Sequence, residues 1–528
     1  MSLALNAGDQ IWLLIAMAIY LAAIAVIGVV FAGVANKSSE HFFLGGRGLG
    51  PWVAAMSAEA SDMSGWLLMG LPGVAYFTGL ADAAWTAIGL AIGTYVNWLI
   101  VSKRLRRYSV VADNAITIPE FFSKRYRESG SFKPILLIAS IIIIVFFSVY
   151  VGSCFVTCGK LFNALFGINY QFWMLIGALF VLFYTFMGGF LAESVTDFLQ
   201  SIVMIVALVV VLAVGLAAAG GPAQVAENIR NFPGFTSLFA MANPVKDAAD
   251  AQIVSGGVPQ FGSAVDYGFL TIISTAAWGL GYFGMPQVLL RFMAIRKVSE
   301  LKRSRRIAII WCVIAMTAAV LIGLIGRAYM PGELTTASAS ENIFIMLCVG
   351  LFPSFIAGIV MSGILAAAMS SSDSYLLIAA SAVARDIYKG IIKRDADDKR
   401  IMLISRVVLV LIAVIGVVIA WDENSVIFNV VSFAWAGFGA AFGPIMLFSL
   451  FWKRTTTPAA IAGILSGGAM VFIWNLLIKP LGGVFGIYEL LPAFALSAVV
   501  IVAVSLLTPE PSKEIQADFD MALTAQIE

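Results

Sequence analysis

The stretch Ser57-Ala58-Glu59-Ala60-Ser61-Asp62-Met63-Ser64-Gly65-Trp66, followed by Gly70, Pro72 and Gly73, decides how this chain is read. It lies inside an apolar run from 50 to 77 and places two carboxylates and three hydroxyls where a membrane helix would bury them. Ionisable groups are costly at hydrocarbon depth, and irregular backbone survives there only where it lines a cavity. An unwound segment whose freed carbonyls can hold a cation meets both conditions. The alternative is a packing seam of small residues whose acids find partners elsewhere.

The rest of the chain supplies the membrane. Its 528 residues are 61% hydrophobic and 12% charged, against roughly 45 to 50% and about a quarter in soluble proteins. A water-soluble globule is excluded. Stretches such as 202–212 do not alternate, which excludes an outer-membrane barrel. The first apolar run is too long for a signal-peptide core and has no Lys or Arg before it, so it reads as a span. Hydropathy gives about 13 transmembrane helices, at 11–34, 50–77, 83–101, 134–162, 172–190, 195–218, 269–293, 307–325, 352–384, 402–420, 426–451, 459–477 and 490–507. Of the Lys and Arg residues, 25 fall in one alternate set of loops and four in the other. Positive charge collects on the inside, so the N-terminus is expected outside and the C-terminus in the cytoplasm of a multi-pass inner (plasma) membrane protein.

The organisation expected is an N-terminal extra helix and cytoplasmic loop (1–49), a first five-helix unit (50–218), a long external loop (219–268), a second five-helix unit (269–452), two further helices (453–507) and a tail (508–528). The segment 117–128 is amphipathic and basic and reads as an interfacial helix. The loop 220–268 is rich in Gly, Ala and Pro and could hold short helices over an outer vestibule. The tail after Thr508 is acidic and polar and reads as disordered. Cys154, Cys158, Cys312 and Cys348 fall in or beside apolar segments and read as buried thiols.

Two more spans break the usual rules. The seventh holds Trp278-Gly279-Leu280-Gly281-Tyr282-Phe283-Gly284-Met285-Pro286, in which three glycines and a proline weaken the helix and aromatic rings supply a wall. Interrupted helices at matching positions in two halves point to an inverted-repeat transporter. The ninth holds Ser370-Ser371-Ser372-Asp373-Ser374, hard oxygen ligands suited to an alkali cation. Serines bonding back to their own helix are the alternative. The only histidine is His41, outside the spans, which excludes an intramembrane His site. Asp197 stands at the start of the sixth span, where the helix dipole alone would favour it. Asp62 has no Lys or Arg in its own broken helix or in the serine cluster. Sodium, or backbone donors freed at Ser64 and Gly65, are its expected partners. Arg291 is placed near the end of its span, leaving both breaks without a basic residue.

At these residues the chain resembles the sodium/solute symporter family and, within it, the branch that carries proline. SDMSGWLLMGLPG at 61–73, GGFLAESVTDFLQ at 188–200, WGLGYFGMPQVLLRFMA at 278–294 and FAWAGFGAAFGPIMLFSLFWKR at 433–454 match it in order and spacing. The resemblance implies an all-α polytopic membrane protein with a LeuT-type core of two inverted five-helix repeats. It also implies a co-transported sodium ion held by the carbonyls of Ala60, Met63 and Ala367 and the hydroxyls of Ser370 and Ser371. Asp62, Ser64, Gly65, Arg47, Asp197, Asp373 and Ser374 would serve coupling. Trp66, Tyr150, Trp278, Tyr282 and Pro286 would surround L-proline. Glu59 stands where the family pattern suggests a small residue, and Ser371 where it suggests threonine.

The chemistry agrees with a transporter. Proline is a zwitterion with an apolar ring, which an aromatic wall and the ends of broken helices would suit. Trp278 and Tyr282, four residues apart, are expected on one helix face. Pantothenate, a sugar or a short carboxylate are the alternative solutes. A channel would need a continuous polar stripe, and an enzyme a nucleophile with its base; no catalytic residue and no nucleic-acid partner is expected.

Overall fold

The computed structural model describes residues 5–35, 39–130, 132–167 and 169–524. Lys37 lies outside them, as does the side chain of His41. The chain begins with α1 (Ala7–Ala35), and the first broken span follows as α2 (Pro51–Asp62) and α3 (Leu71–Thr78). Next come α4 (Leu80–Val96), α5 (Ser102–Val111), α6 (Ile118–Arg125), α7 (Pro134–Phe166) and α8 (Tyr170–Ala218). The second broken span is α9 (Phe269–Ala276) and α10 (Pro286–Ala294), succeeded by α11 (Leu301–Tyr329), α12 (Ser354–Ser381), α13 (Asp398–Ile419) and α14 (Ile427–Phe451). The chain closes with α15 (Thr457–Ile473), α16 (Leu490–Leu507) and α17 (Lys513–Thr524).

Among the described residues ten helices are long and apolar enough to cross a membrane. The shorter apolar helices Trp66–Thr78, Tyr170–Phe186 and Phe269–Phe283 fall where the second, fifth and seventh spans are expected. The serine-bearing α12 runs through the centre, packed on α1, α2, α7 and α8. Glycines set the closest crossing: a Cβ on Gly93 would run into the Gly279 carbonyl, and one on Gly279 into that of Gly89. α4 and the second break therefore meet backbone to backbone.

Three local expectations are corrected. The fifth and sixth spans are not separated by a linker at 191–194. Helical geometry continues through α8 except at Gly189 (φ 61°, ψ 176°). Glycine has no Cβ to penalise positive φ, so one residue makes the turn. The external loop holds a helix, Gly221–Ile229, but also two small antiparallel pairs. In these, β1 (Ala240–Met241) pairs with β4 (Val265–Asp266), and β2 (Val254–Ser255) with β3 (Val258–Pro259). The loop is tied down by Leu80 N–H to the Phe235 carbonyl at 2.8 Å and by buried Arg327 to Gln252 Oε1 at 2.8 Å.

The third correction is the tail. Ile515, Phe519 and Ala522 are buried, at i, i+4 and i+7, a stripe too short to stand out in an acidic sequence. Phe519 meets the Tyr108 ring edge-on at 6.2 Å, while Asp518 pairs with Arg127 at 2.7 Å and Asp520 with Lys453 at 2.5 Å. The α6 helix forms as expected, capped by Thr117 Oγ1 accepting from Glu120 N–H at 3.1 Å. Its Phe121 and Phe122 are buried against Tyr108 and Phe442, so it packs beneath the bundle. Burial would raise the Glu120 carboxyl, but Arg385 and Lys124 beside it hold it below its ordinary value.

Truncating a buried Phe costs about 3 kcal/mol or more. Phe519→Ala should therefore release α17, and trypsin should cut after Lys513 faster than in the parent protein. Equal cleavage rates would show that the ion pairs alone hold the tail.

Candidate ion and substrate site at the broken helices

α2 stops at Asp62 because the next residue leaves helical geometry: Met63 has φ −93° and ψ 76°. Ser64 N–H turns back to the Asp62 carbonyl at 3.2 Å, and a wide turn over Trp66–Gly70 leads into α3. A Cβ on Gly65 would collide with the Thr157 side chain, so only glycine lets α7 approach here. The second break is a 3₁₀ turn over Ala277–Phe283, then extended Met285, then α10 opened by Pro286. Pro fits at the first turn of a helix, where its missing N–H has no partner to lose.

Oxygen atoms converge where α12 passes the first break. Ser370 Oγ donates to the Ala60 carbonyl at 2.9 Å and Ser371 Oγ to the same carbonyl at 3.3 Å. Ser370 Oγ also lies 3.4 Å from the Ala367 carbonyl. Ala60, Ala367, Ser370 and Ser371 are thus together, all fully buried. Met63 marks the break itself, its N–H bonded to the Glu59 carbonyl at 2.9 Å. The two serines bridge helices, which the back-bonding alternative does not provide. Ser374, one turn on, faces another cluster.

That cluster is the main correction to the sequence reading. Arg291 is fully buried in mid-bundle. Its guanidinium donates to Glu193 Oε1 at 2.5 Å, Asp197 Oδ2 at 3.0 Å, Ser374 Oγ at 2.9 Å and Ser57 Oγ at 3.0 Å. Ser57 Oγ donates to Asp197 at 2.8 Å, and Ser374 Oγ to Glu193. Arg291 stands in the last turn of α10, as expected, but its side chain is turned into the bundle. Asp197 is not a dipole cap, because α8 continues unbroken from Phe190 and places it two turns in. Glu193, read as part of a loop, completes the cluster. Asp373 Oδ1 accepts from Ser374 N–H at 2.7 Å, and its carboxyl borders a small cavity shared with Glu193 and Gly189.

Asp62 has partners the sequence did not supply. Tyr282 O–H donates to Oδ2 at 2.7 Å, and the Gln287 amide lies 3.4 Å from Oδ1. The donors come from the second broken helix, not from Ser64 or Gly65 as the hydrogen-bond alternative held. Trp278 and Tyr282 do not share one helix face. In a 3₁₀ turn residues four apart point about 120° from each other. They still meet at Trp435, whose ring lies 5.9 Å from Trp278 and edge-on 5.0 Å from Tyr282. Trp66 lies 6.0 Å from Trp278, and the Tyr150 hydroxyl 3.4 Å from the Asp62 carbonyl. Trp66, Tyr150, Trp278, Tyr282 and Pro286 thus gather at the two breaks. Trp435, Phe428 and Tyr488, which pack on Trp278, were missed as individual residues, although the first lies in the FAWAGFG motif.

Two polar clusters lie away from the breaks. Arg47 donates to the carbonyls of Met293 and Ala115, both at 2.7 Å, tying the end of α10 to the segment before α6. Lys160 pairs with Glu341 at 2.6 Å, and that carboxylate also accepts from Ile427 and Phe428 N–H at 3.0 Å, capping α14. A cavity of about 150 Å³ lies between Glu341, Phe428, Gly70 and Gly73.

Comparison with known proteins identifies the family and the fold. The model of the sodium:solute symporter family matches residues 42–467. The chain belongs to that family. It is 38% identical over 512 residues to the sodium/proline symporter of Staphylococcus aureus (strain NCTC 8325 / PS 47), covering 96% of this chain and 94% of the relative. The structure of a Na+-coupled sialic acid symporter in a substrate-bound outward-open state superposes with TM-score 0.73, at 18% identity, over 95% of this chain and 99% of that one. MhsT in complex with L-phenylalanine superposes with TM-score 0.52, at 14% identity, over 86% and 97%. The fold is the LeuT-type arrangement of two inverted five-helix repeats.

Removing one partner of a buried ion pair costs about 3–5 kcal/mol, because it strands the other charge. Arg291→Met should lower the unfolding temperature in detergent sharply, and adding Glu193→Gln and Asp197→Asn should recover much of the loss. A further drop with the added changes would refute the shared-charge account.

Proposed function

We propose that the chain is a sodium-coupled symporter that imports L-proline by alternating access. The reading rests on one observation above the others: two serine hydroxyls of α12 meet the Ala60 carbonyl at the break of the first broken helix, in a chain 38% identical to a sodium/proline symporter. Sodium is the cargo of that site. On entering, it would take the Ala60 and Ala367 carbonyl oxygens and the hydroxyl oxygens as ligands, joined by the Met63 carbonyl. The hydroxyl protons would turn away from Ala60 to other acceptors. The ion would then hold α2 to α12 and favour one of two conformations through its differential affinity.

The aromatic residues at the breaks supply a wall for the proline ring. The Asp62–Tyr282 bond joins the two breaks, so a change at either is felt at the other. The protein is assigned to the inner membrane with its N-terminus outside and its C-terminus in the cytoplasm, on the distribution of Lys and Arg. One sodium ion entering at about 100 mV gains about 2.3 kcal/mol. A tenfold gradient adds about 1.4 kcal/mol, enough for accumulation of a neutral solute by roughly several hundredfold.

Reconstituted protein should take up labelled L-proline on an inward sodium gradient, with net charge entry. Potassium or proton gradients should not replace sodium, and pantothenate, sugars and short carboxylates should not compete. Uptake independent of sodium would refute the coupling, and preference for another solute would refute only proline. The Ser370→Ala/Ser371→Ala double variant should raise the apparent sodium constant at least tenfold, while Ser371→Thr keeps the oxygen and stays near the parent.

Asp62→Asn keeps an acceptor for the Tyr282 hydroxyl, removes the charge and gives up only the long contact with the Gln287 amide. Tyr282→Phe keeps the charge and loses the bond. If the charge serves coupling, Asp62→Asn should nearly abolish sodium-driven uptake, whereas Tyr282→Phe should chiefly raise the apparent proline constant. Full activity of Asp62→Asn at high sodium would assign Asp62 a purely structural role.

A further inference from the structure

A groove of about 510 Å³ opens beside the end of α4. Lys103, Arg107, Lys297, Lys302 and Arg305 converge on it, and no carboxylate lines it. Among the described residues none of these five cations enters an ion pair. Arg107 Nε is buried with no hydrogen-bond partner, although its Nη1 reaches the Leu523 carbonyl at 3.3 Å. The bias of basic residues to one set of loops accounts for positive charge at this end. It does not account for charges gathered round one cavity without acids. A second basic cavity at the same end is different: Lys124 and Arg385 there share Glu120, and Asp386 is part of the lining.

We propose that this groove binds the phosphate headgroup of an anionic phospholipid. The apolar approach identifies a lipid over a soluble anion. Ile92, Tyr95 and Leu99 follow one another at spacings of three and four and are exposed at 60%, 43% and 44%, forming a strip that leads into the groove. Arg305 lies over the Tyr95 ring at 5.5 Å, at the junction of strip and groove. An acyl chain would lie on the strip and the headgroup among the cations, which attract anionic lipid individually and more strongly as a cluster.

The position gives the lipid something to do. The groove joins the segment after α4 to the loop between α10 and α11. Its wall residue Trp98 stacks edge-on against Phe292 of α10 at 4.5 Å, and neighbouring Asn97 donates to the Tyr282 carbonyl at 3.0 Å. A bound headgroup would brace the second broken helix from outside, so transport rate should rise with anionic lipid.

The test is native mass spectrometry of delipidated full-length protein offered phosphatidylglycerol, phosphatidylcholine or inorganic phosphate. Phosphatidylglycerol should be retained and the other two should not. Lys297→Gln/Lys302→Gln/Arg305→Gln should weaken retention about a hundredfold. Lys389→Gln/Lys393→Gln/Arg394→Gln, which removes equal charge from the same end, should leave it unchanged. Exposed Lys302→Gln alone should weaken retention about fivefold without disturbing the fold. Equal loss in both triple variants would overturn the site in favour of diffuse attraction. Phosphate bound as tightly as phosphatidylglycerol, or phosphatidylcholine retained as well, would overturn the anionic-lipid assignment.

Discussion

Backbone groups released from a helix inside hydrocarbon have no water to turn to, and each left without a partner costs several kcal/mol. Two spans of this chain stop and restart at mid-depth, and the surrounding architecture answers that constraint. The first break is closed locally by Ser64 and Leu67 N–H groups and from across the bundle by Ser370 and Ser371. The second is closed by Asn97 on the Tyr282 carbonyl and by the Trp435 indole on that of Trp278 at 2.8 Å. The partners come from the segment just after α4 and from α12 and α14, so the breaks are not isolated defects. They are the points at which the helices around them are fastened together.

Charge reinforces that fastening one turn away. Arg291 on α10 holds Glu193 and Asp197 of α8, Ser57 of α2 and Ser374 of α12, so one guanidinium ties both broken helices to two continuous ones. Arginine suits this place because its planar fork offers five donors in fixed directions, which a lysine ammonium could not aim at four acceptors. Ser370 and Ser374 lie on the same helix a turn apart, so movement of α12 relative to α2 at the Ala60 carbonyl also moves an oxygen of the Arg291 cluster. This geometry would give Asp197 and Ser374 a route to influence the proposed ion site without touching it.

Much of this was legible in the sequence where local chemistry is decisive. Glycines, prolines and hydroxyls inside apolar runs located both breaks, and the serine cluster located the partner of the first. What stayed hidden depends on which residues meet across the bundle. The side-chain donors to Asp62 stayed hidden because Tyr282 and Gln287 are more than two hundred positions away. Arg291 lies in the last turn of its helix as expected, but its partners Ser57, Glu193, Asp197 and Ser374 stand on three other helices, which no local pattern reveals. Trp278 and Tyr282 were placed on one face by assuming α-helical spacing, which the 3₁₀ turn does not follow. The tail looked disordered because three apolar residues make a stripe only once a surface receives them.

The interior is also unbalanced in sign. Glu59, Asp62, Glu193, Asp197 and Asp373 are all buried within the spans around the breaks, and Arg291 is the basic residue among them. Carboxylates cannot all remain charged in a dry interior with one cation among them, because Arg291 pairs directly with only Glu193 and Asp197 and the desolvation of the others goes unanswered. Two outcomes are open to such a site: some carboxyls hold a proton, or a mobile cation enters and shares the field. A small monovalent ion placed among carbonyls and hydroxyls offsets the excess without requiring a fixed basic side chain, and it can leave when the helices part. A permanent lysine at this place would balance the charge and remove the reason for an ion to bind. The deficit of positive charge among these buried acids thus supports the proposal that a cation is the cargo.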